Sequence, residues 1–106
     1  MSGWVTVARV DQFAPGTWQT VDVDGAHLAI FNLGGEFFAI EDVCTHDGGQ
    51  LSGGLIEGDQ IICPRHGARF CIRNGAALTA PAYEPTASFP VRIVNNELQV
   101  RDDRWD

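Results

Sequence analysis

The sequence predicts a small all-β domain. Three observations carry this: helical periodicity is nearly absent, short alternating apolar and polar runs recur, and two-residue turn signals separate them. The chain has 106 residues, 44% of them hydrophobic, enough for one modest core and too apolar for disorder. With no internal repeat, linker or shift in composition, residues 1–106 read as one domain.

Residues 4–10 set Trp4, Thr6, Ala8 and Val10 against Val5, Val7 and Arg9 and predict a strand. Residues 11–15 predict one short turn, and Pro15-Gly16 a loop. Residues 19–23 predict the next strand. Asp24-Gly25 is a strong hairpin signal leading to a strand over 27–33. Gly34-Gly35 is a second hairpin turn, with the returning strand over 36–41. Phe37 and Phe38 then offer one ring to each face of the sheet, because strand side chains alternate. Residues 47–54 are rich in glycine and polar side chains and predict a loop. Gly58-Asp59 turns between short strands around Leu55-Ile56 and over 60–63. A strand over 69–73 follows, and Asn74-Gly75 is another hairpin signal. Residues 79–90 carry Pro81, Pro85 and Pro90 and predict an extended segment without a regular ladder. Residues 89–94 and 98–101 pair around Asn95-Asn96 as a last hairpin, and the polar tail 102–106 is expected to fray. Strands before Glu41 and after Phe89 thus supply an antiparallel base, with residues 43–72 inserted between them.

Net charge is −7 at pH 7, from 14 acids against 7 bases. That disfavours nucleic acid and anionic membranes as partners and fits a partner with a basic docking patch. Solvation alone is the plainer account of the same acidity. No apolar run approaches the ~18 residues of a membrane span, and Met1-Ser2-Gly3-Trp4 has neither the basic region nor the apolar core of a secretory signal. A soluble, cytoplasmic protein is expected, and its acidic surface leans towards a monomer. Three Cys at uneven spacing argue against a disulfide framework and for thiolate chemistry.

That chemistry centres on Cys44-Thr45-His46 and, after a 16-residue spacer, Cys63-Pro64-Arg65-His66. Each pair ends in His and lies beside glycine: Gly48 and Gly49 after the first, Gly67 after the second. Three readings compete. The side chains are purely structural; or they bind a zinc ion through two Cys and two His; or they hold a [2Fe–2S] cluster in which His replaces Cys on one iron. Zinc fingers usually pair Cys with Cys and His with His, whereas each loop here mixes the two. Cys71 lies outside both loops and reads as a core or neighbouring thiol, not a ligand. His27 reads as a strand-face side chain.

The two motifs closely resemble the Rieske family. The resemblance extends over nearly the whole chain, through the spacer length, the Gly67-Ala68-Arg69-Phe70 continuation, the Asn74-Gly75 turn and the proline-containing stretch from Ala80. It implies a Rieske-like fold: antiparallel base sheets with an inserted cluster-binding subdomain over about 43–72. Overall the chain resembles the stand-alone Rieske-type ferredoxins that serve bacterial ring-hydroxylating dioxygenases. Carried over residue by residue, Cys44 and Cys63 would bind one iron of a [2Fe–2S] cluster and His46 and His66 the other. Gly48, Gly49 and Gly67 would let backbone N–H groups turn towards the sulfurs. The His side chains would lie at an exposed tip, and the loop matching 80–85 would cover the cluster.

The implied function is one-electron transfer from an NAD(P)H-dependent flavin (ferredoxin) reductase to a terminal non-haem iron oxygenase. The chain itself is not the oxygenase: a second site of two His and a carboxylate is needed, and only His27 remains for it. The rival within the same chemistry is a Rieske-type accessory or redox-sensing protein linked to iron–sulfur assembly or to another reductase. Acidic Glu57, Asp59 and Glu84 would either steer partners or only be solvated. Respiratory Rieske proteins add a disulfide at positions matching Gly49 and Arg65, and Ser and Tyr hydroxyls at positions matching Ala68 and Phe70. None of those groups is present here. Fewer hydrogen bonds to sulfur imply a potential near the low end of a range of roughly −150 to +300 mV.

Overall fold

Turn chemistry and alternation yield ten strands among the described residues. They are β1 (Val5–Arg9), β2 (Trp18–Val23), β3 (Ala26–Leu33), β4 (Glu36–Glu41), β5 (Ile56–Glu57), β6 (Gln60–Ile62), β7 (Arg69–Cys71), β8 (Ser88–Phe89), β9 (Val91–Val94) and β10 (Glu97–Val100). The structure is a computed structural model and describes residues 3–104. Three antiparallel sheets result, with strand orders β1-β10-β9, β2-β3-β4-β8 and β5-β6-β7. The third sheet lies within the inserted segment, and the other two form the base.

The hairpins at Asp24-Gly25, Gly34-Gly35, Gly58-Asp59 and Asn95-Asn96 are where the turn residues put them. Four local expectations change. The alternation of β1 breaks at a bulge between Thr6 and Ala8, so Val5, Val7 and Ala8 all pack against one core. The segment expected to be one strand over 89–94 is cut at Pro90, which has no N–H for a ladder. Its two halves join different sheets, β8 on β4 and β9 on β10. The strand expected over 69–73 stops at Cys71. Asn74-Gly75 turns a wider loop, closed by Gly75 N–H to the Cys71 carbonyl (2.7 Å), with Phe70 bridging Ala77. Gly75 is required for close approach: a Cβ there would meet the Thr86 carbonyl oxygen at 2.1 Å. Finally, residues 102–104 of the expected frayed tail are tied down, while 105 and 106 lie outside the described residues. Asp102 is fully buried and accepts two hydrogen bonds from the Arg104 guanidinium, which sits over the Phe89 ring at 4.9 Å.

β3 is the centre of the packing. Leu28, Ala29, Ile30 and Phe31 are all fully buried. Leu28 and Ile30 face a core shared with Phe13, Val23, Phe37, Leu98 and Val100 between the two base sheets. Ala29 and Phe31 face the opposite core, with Ile40, Leu51, Ile61, Phe70 and Ile72, beneath the two Cys/His loops. As alternation requires, Phe37 packs in the first core and Phe38 against the second. Across the β2–β3 ladder Asp22 faces His27, and their side chains meet at 2.6 Å.

Two outcomes follow from this packing. Phe31→Ala empties the centre of the core under the loops and should cost about 3–5 kcal/mol in a denaturant titration, while Ile93→Ser on the exposed face of β9 should change stability by under about 0.5 kcal/mol. The second concerns His27. The hydrogen bond that His27 donates to Asp22 raises the His27 pKa above the ordinary 6.5, with burial opposing and the Asp22 and Asp42 charges assisting. A raised His pKa means stability present below 6.5 and lost as pH rises through the raised value. An NMR titration should place the His27 midpoint above 6.5, and Asp22→Asn should move it back down.

Candidate metal centre

The two Cys/His loops are built on the same turn. In the first, Cys44 N–H donates to the Gly49 carbonyl at 2.7 Å and Gly48 N–H to the Cys44 carbonyl at 2.7 Å. In the second, Cys63 N–H donates to the Ala68 carbonyl at 2.7 Å and Gly67 N–H to the Cys63 carbonyl at 3.0 Å. The pattern from each Cys is identical: its N–H reaches five residues on, and its carbonyl accepts from four residues on. At that fourth position the backbone is left-handed, φ 74° at Gly48 and 75° at Gly67, so glycine is the residue that fits without strain. Gly49 works differently from expectation. Its φ is ordinary, but a Cβ there would lie 2.5 Å from the Arg65 guanidinium carbon. Space, not backbone freedom, calls for glycine at 49.

The turns send the donors in two directions. Cys44 and Cys63 are buried within the core under the loops, beside Leu51, Ala68 and Ala82. His46 and His66 are exposed, with ring centroids 5.2 Å apart and planes at 85°. Burial pushes the Cys44 thiol up; backbone N–H groups of His46 and Asp47 act on it in the opposite direction. The proline-bearing segment closes over the site: Ala82 joins the core around the thiols, and Thr45 donates its hydroxyl to the Glu84 carbonyl at 2.6 Å.

Among the described residues, the only group of three or more metal-ligating donor atoms all within 4.8 Å of one another is Cys44, Asp47 and Cys63; neither His belongs to it. A single tetrahedral zinc would need all four motif donors within about 4 Å of each other, and the two Cys and two His as placed do not meet that condition. A thiol pair below and an imidazole pair above fit a group with two metal atoms, one soft-ligand end and one nitrogen end. Asp47 is otherwise engaged. Its carboxylate accepts from the Arg65 guanidinium and from Gly49 N–H, which hold it well below the usual carboxylate range.

Three residues around the site carry no ligand signature in sequence. Asp42 is buried, and its oxygens accept from Leu51 N–H (2.8 Å), Ser52 N–H (2.7 Å) and the Ser52 hydroxyl (2.6 Å). It thereby closes the first loop at its far end. Arg65 and Asp47 cross between the loops, and Arg65 also donates to the Gln50 carbonyl at 3.0 Å. The available signal was opposite charges flanking the two motif His residues, Asp47 directly after His46 and Arg65 directly before His66. Cys71 is half-buried on β7 and outside the donor group. His27 is on β3, paired with Asp22. Glu57 and Asp59 pair with Arg69 and Arg73. Of the three acids singled out in the sequence, Glu84 is the one whose segment is bonded to a ligand loop.

Known proteins share this fold. The sequence model of the Rieske [2Fe-2S] domain matches residues 3–90. The biphenyl dioxygenase ferredoxin subunit of Pseudomonas sp. (strain KKS102) is 41% identical over 92 residues, covering 86% of this chain and 84% of that one. Among solved structures, the ferredoxin of carbazole 1,9a-dioxygenase from Nocardioides aromaticivorans IC177 superposes with TM-score 0.86 at 32% identity, over 92% of this chain and 95% of that one. A chain from the complex of reduced oxygenase and oxidized ferredoxin in carbazole 1,9a-dioxygenase gives TM-score 0.86 at 37% identity, over 92% and 91%.

Proposed function

Because this chain belongs to the Rieske [2Fe-2S] domain family, we propose that it is a cytoplasmic, monomeric one-electron carrier between an NAD(P)H-dependent flavin reductase and a terminal non-haem iron oxygenase. The observation that carries this is the separation of the donors into a buried thiol pair and an exposed imidazole pair. The relatives named as dioxygenase ferredoxins, one solved in complex with its oxygenase, support the direction of transfer. Cys44 and Cys63 would hold one iron of a [2Fe–2S] cluster, and His46 and His66 the other. When bound, the cluster would supply reversible one-electron chemistry.

The chain's own residues define how that chemistry is used. The buried Cys44 and Cys63 keep the sulfur end out of water, packed against Leu51, Ala68 and Ala82. Backbone N–H groups at His46 and Asp47 offset the cost of thiolate charge at Cys44. His46 and His66 present the exposed end, so a docked partner meets an imidazole edge and electron transfer needs no opening of the fold. Such contacts are small and transient. The net charge of −7 favours basic docking surfaces on both partners. Ala68 and Phe70 place no hydroxyl near the sulfurs, which keeps the reduced form less stabilised than in hydroxyl-bearing sites.

The test is the EPR spectrum of the dithionite-reduced protein, with iron and sulfide assays on the same sample. The proposal expects a rhombic reduced [2Fe–2S] signal and a midpoint nearer about −150 mV than +300 mV. Bound zinc without sulfide after anaerobic reconstitution would overturn the carrier function, and a strongly positive midpoint would overturn the placement on the potential scale. Cys63→Ser should abolish iron and sulfide binding, whereas Cys71→Ser should leave both unchanged.

A further inference from the structure

Arg65 has more contacts to the site than a surface arginine needs. Its Nε donates to Asp47 Oδ2 at 2.6 Å and one terminal nitrogen to Asp47 Oδ1 at 3.1 Å. The other terminal nitrogen donates to the Gln50 carbonyl at 3.0 Å. These partners belong to the first loop, while Arg65 belongs to the second, so the guanidinium bridges the two. The fork that grips Asp47 also aims a remaining N–H at Cys63 Sγ, 3.3 Å away. Gly49 leaves the space this requires, since a Cβ there would overlap Arg65 at its guanidinium carbon, terminal nitrogen and Nε. A lysine has neither the planar fork nor the reach to satisfy carboxylate, carbonyl and sulfur together.

We propose that Arg65 is a positioning and tuning residue of the redox site: Asp47 and the space at Gly49 lock its guanidinium so that it donates a charge-assisted hydrogen bond to Cys63 Sγ, favouring the reduced state. The physical reason is that sulfur bound to the metal centre becomes more negative when an electron is added, so a cationic donor on it is worth more in the reduced state than in the oxidised one. The effect opposes the absence of hydroxyls at Ala68 and Phe70. It rests on the assignment of Cys63 as a ligand.

The experiment is a mediated redox titration of the cluster-loaded protein as wild type, Arg65→Gln and Gly49→Ala, at low salt and again at ~1 M salt, where the Debye length is ~3 Å. Gly49→Ala keeps every charge and every ligand and displaces only the guanidinium. Arg65→Gln should make reduction about tenfold less favourable, a midpoint about 59 mV lower. Gly49→Ala should shift it in the same direction by a smaller amount, and both shifts should persist at high salt. Midpoints equal to wild type with lowered melting temperatures would overturn the proposal and leave Arg65 a purely structural latch. Shifts that vanish at high salt would also overturn it, assigning the effect to a screened surface charge. If Arg65→Gln does not retain iron, Gly49→Ala decides alone by the same criteria. A wild-type protein without iron and sulfide would instead fail the carrier function itself, before any variant is compared.

Discussion

Leu28, Ala29, Ile30 and Phe31 are consecutive, and all are buried; a strand reaches that state only when packed on both faces. β3 therefore separates two cores, one between the base sheets and one beneath the ligand loops. Everything that carries chemistry rests on the second. Cys44 and Cys63 are themselves members of that core, beside Phe31, Ile40 and Phe70. Hydrophobic packing around Cys44 and Cys63 places their sulfurs on the inner side of the loops. The loops above them need only turn the backbone and send the imidazoles outward.

Polar groups then fix what packing leaves loose. Asp42 is buried yet has both oxygens engaged by Leu51 and Ser52, so its desolvation is offset by hydrogen bonds. Arg65 and Asp47 join the two loops at their outer ends, and the same guanidinium lies 3.3 Å from Cys63 Sγ.

Much of this was legible because the relevant signals are local. Asp24-Gly25, Gly34-Gly35 and Asn95-Asn96 demand tight turns, and β4 has the bounds its flanking residues predict. The four motif Cys and His were conspicuous because the chain has only three of each residue. Other features had no local signature. The bulge in β1 depends on its pairing with β10, and the cut at Pro90 mattered only because β8 and β9 enter different sheets. Asp42 looks in sequence like any solvated charge, and the opposite charges of Asp47 and Arg65 beside the motif His residues gave their signs but not their contact. The Asp102–Arg104 pair looked like a polar tail until Phe89 was seen beneath the guanidinium.

The sequence by itself determined the donor types, the turn at each loop and the alternating strands, because these follow from side-chain chemistry and backbone preference within a few residues. The tertiary structure alone decided that the thiols face inward as a pair, that the imidazoles meet at 5.2 Å on the surface, and that Arg65 reaches Asp47 across 18 residues of chain. Those arrangements come from two separate loops set on one core. Contact between distant segments is governed by how sheets pack, which no local run of residues encodes.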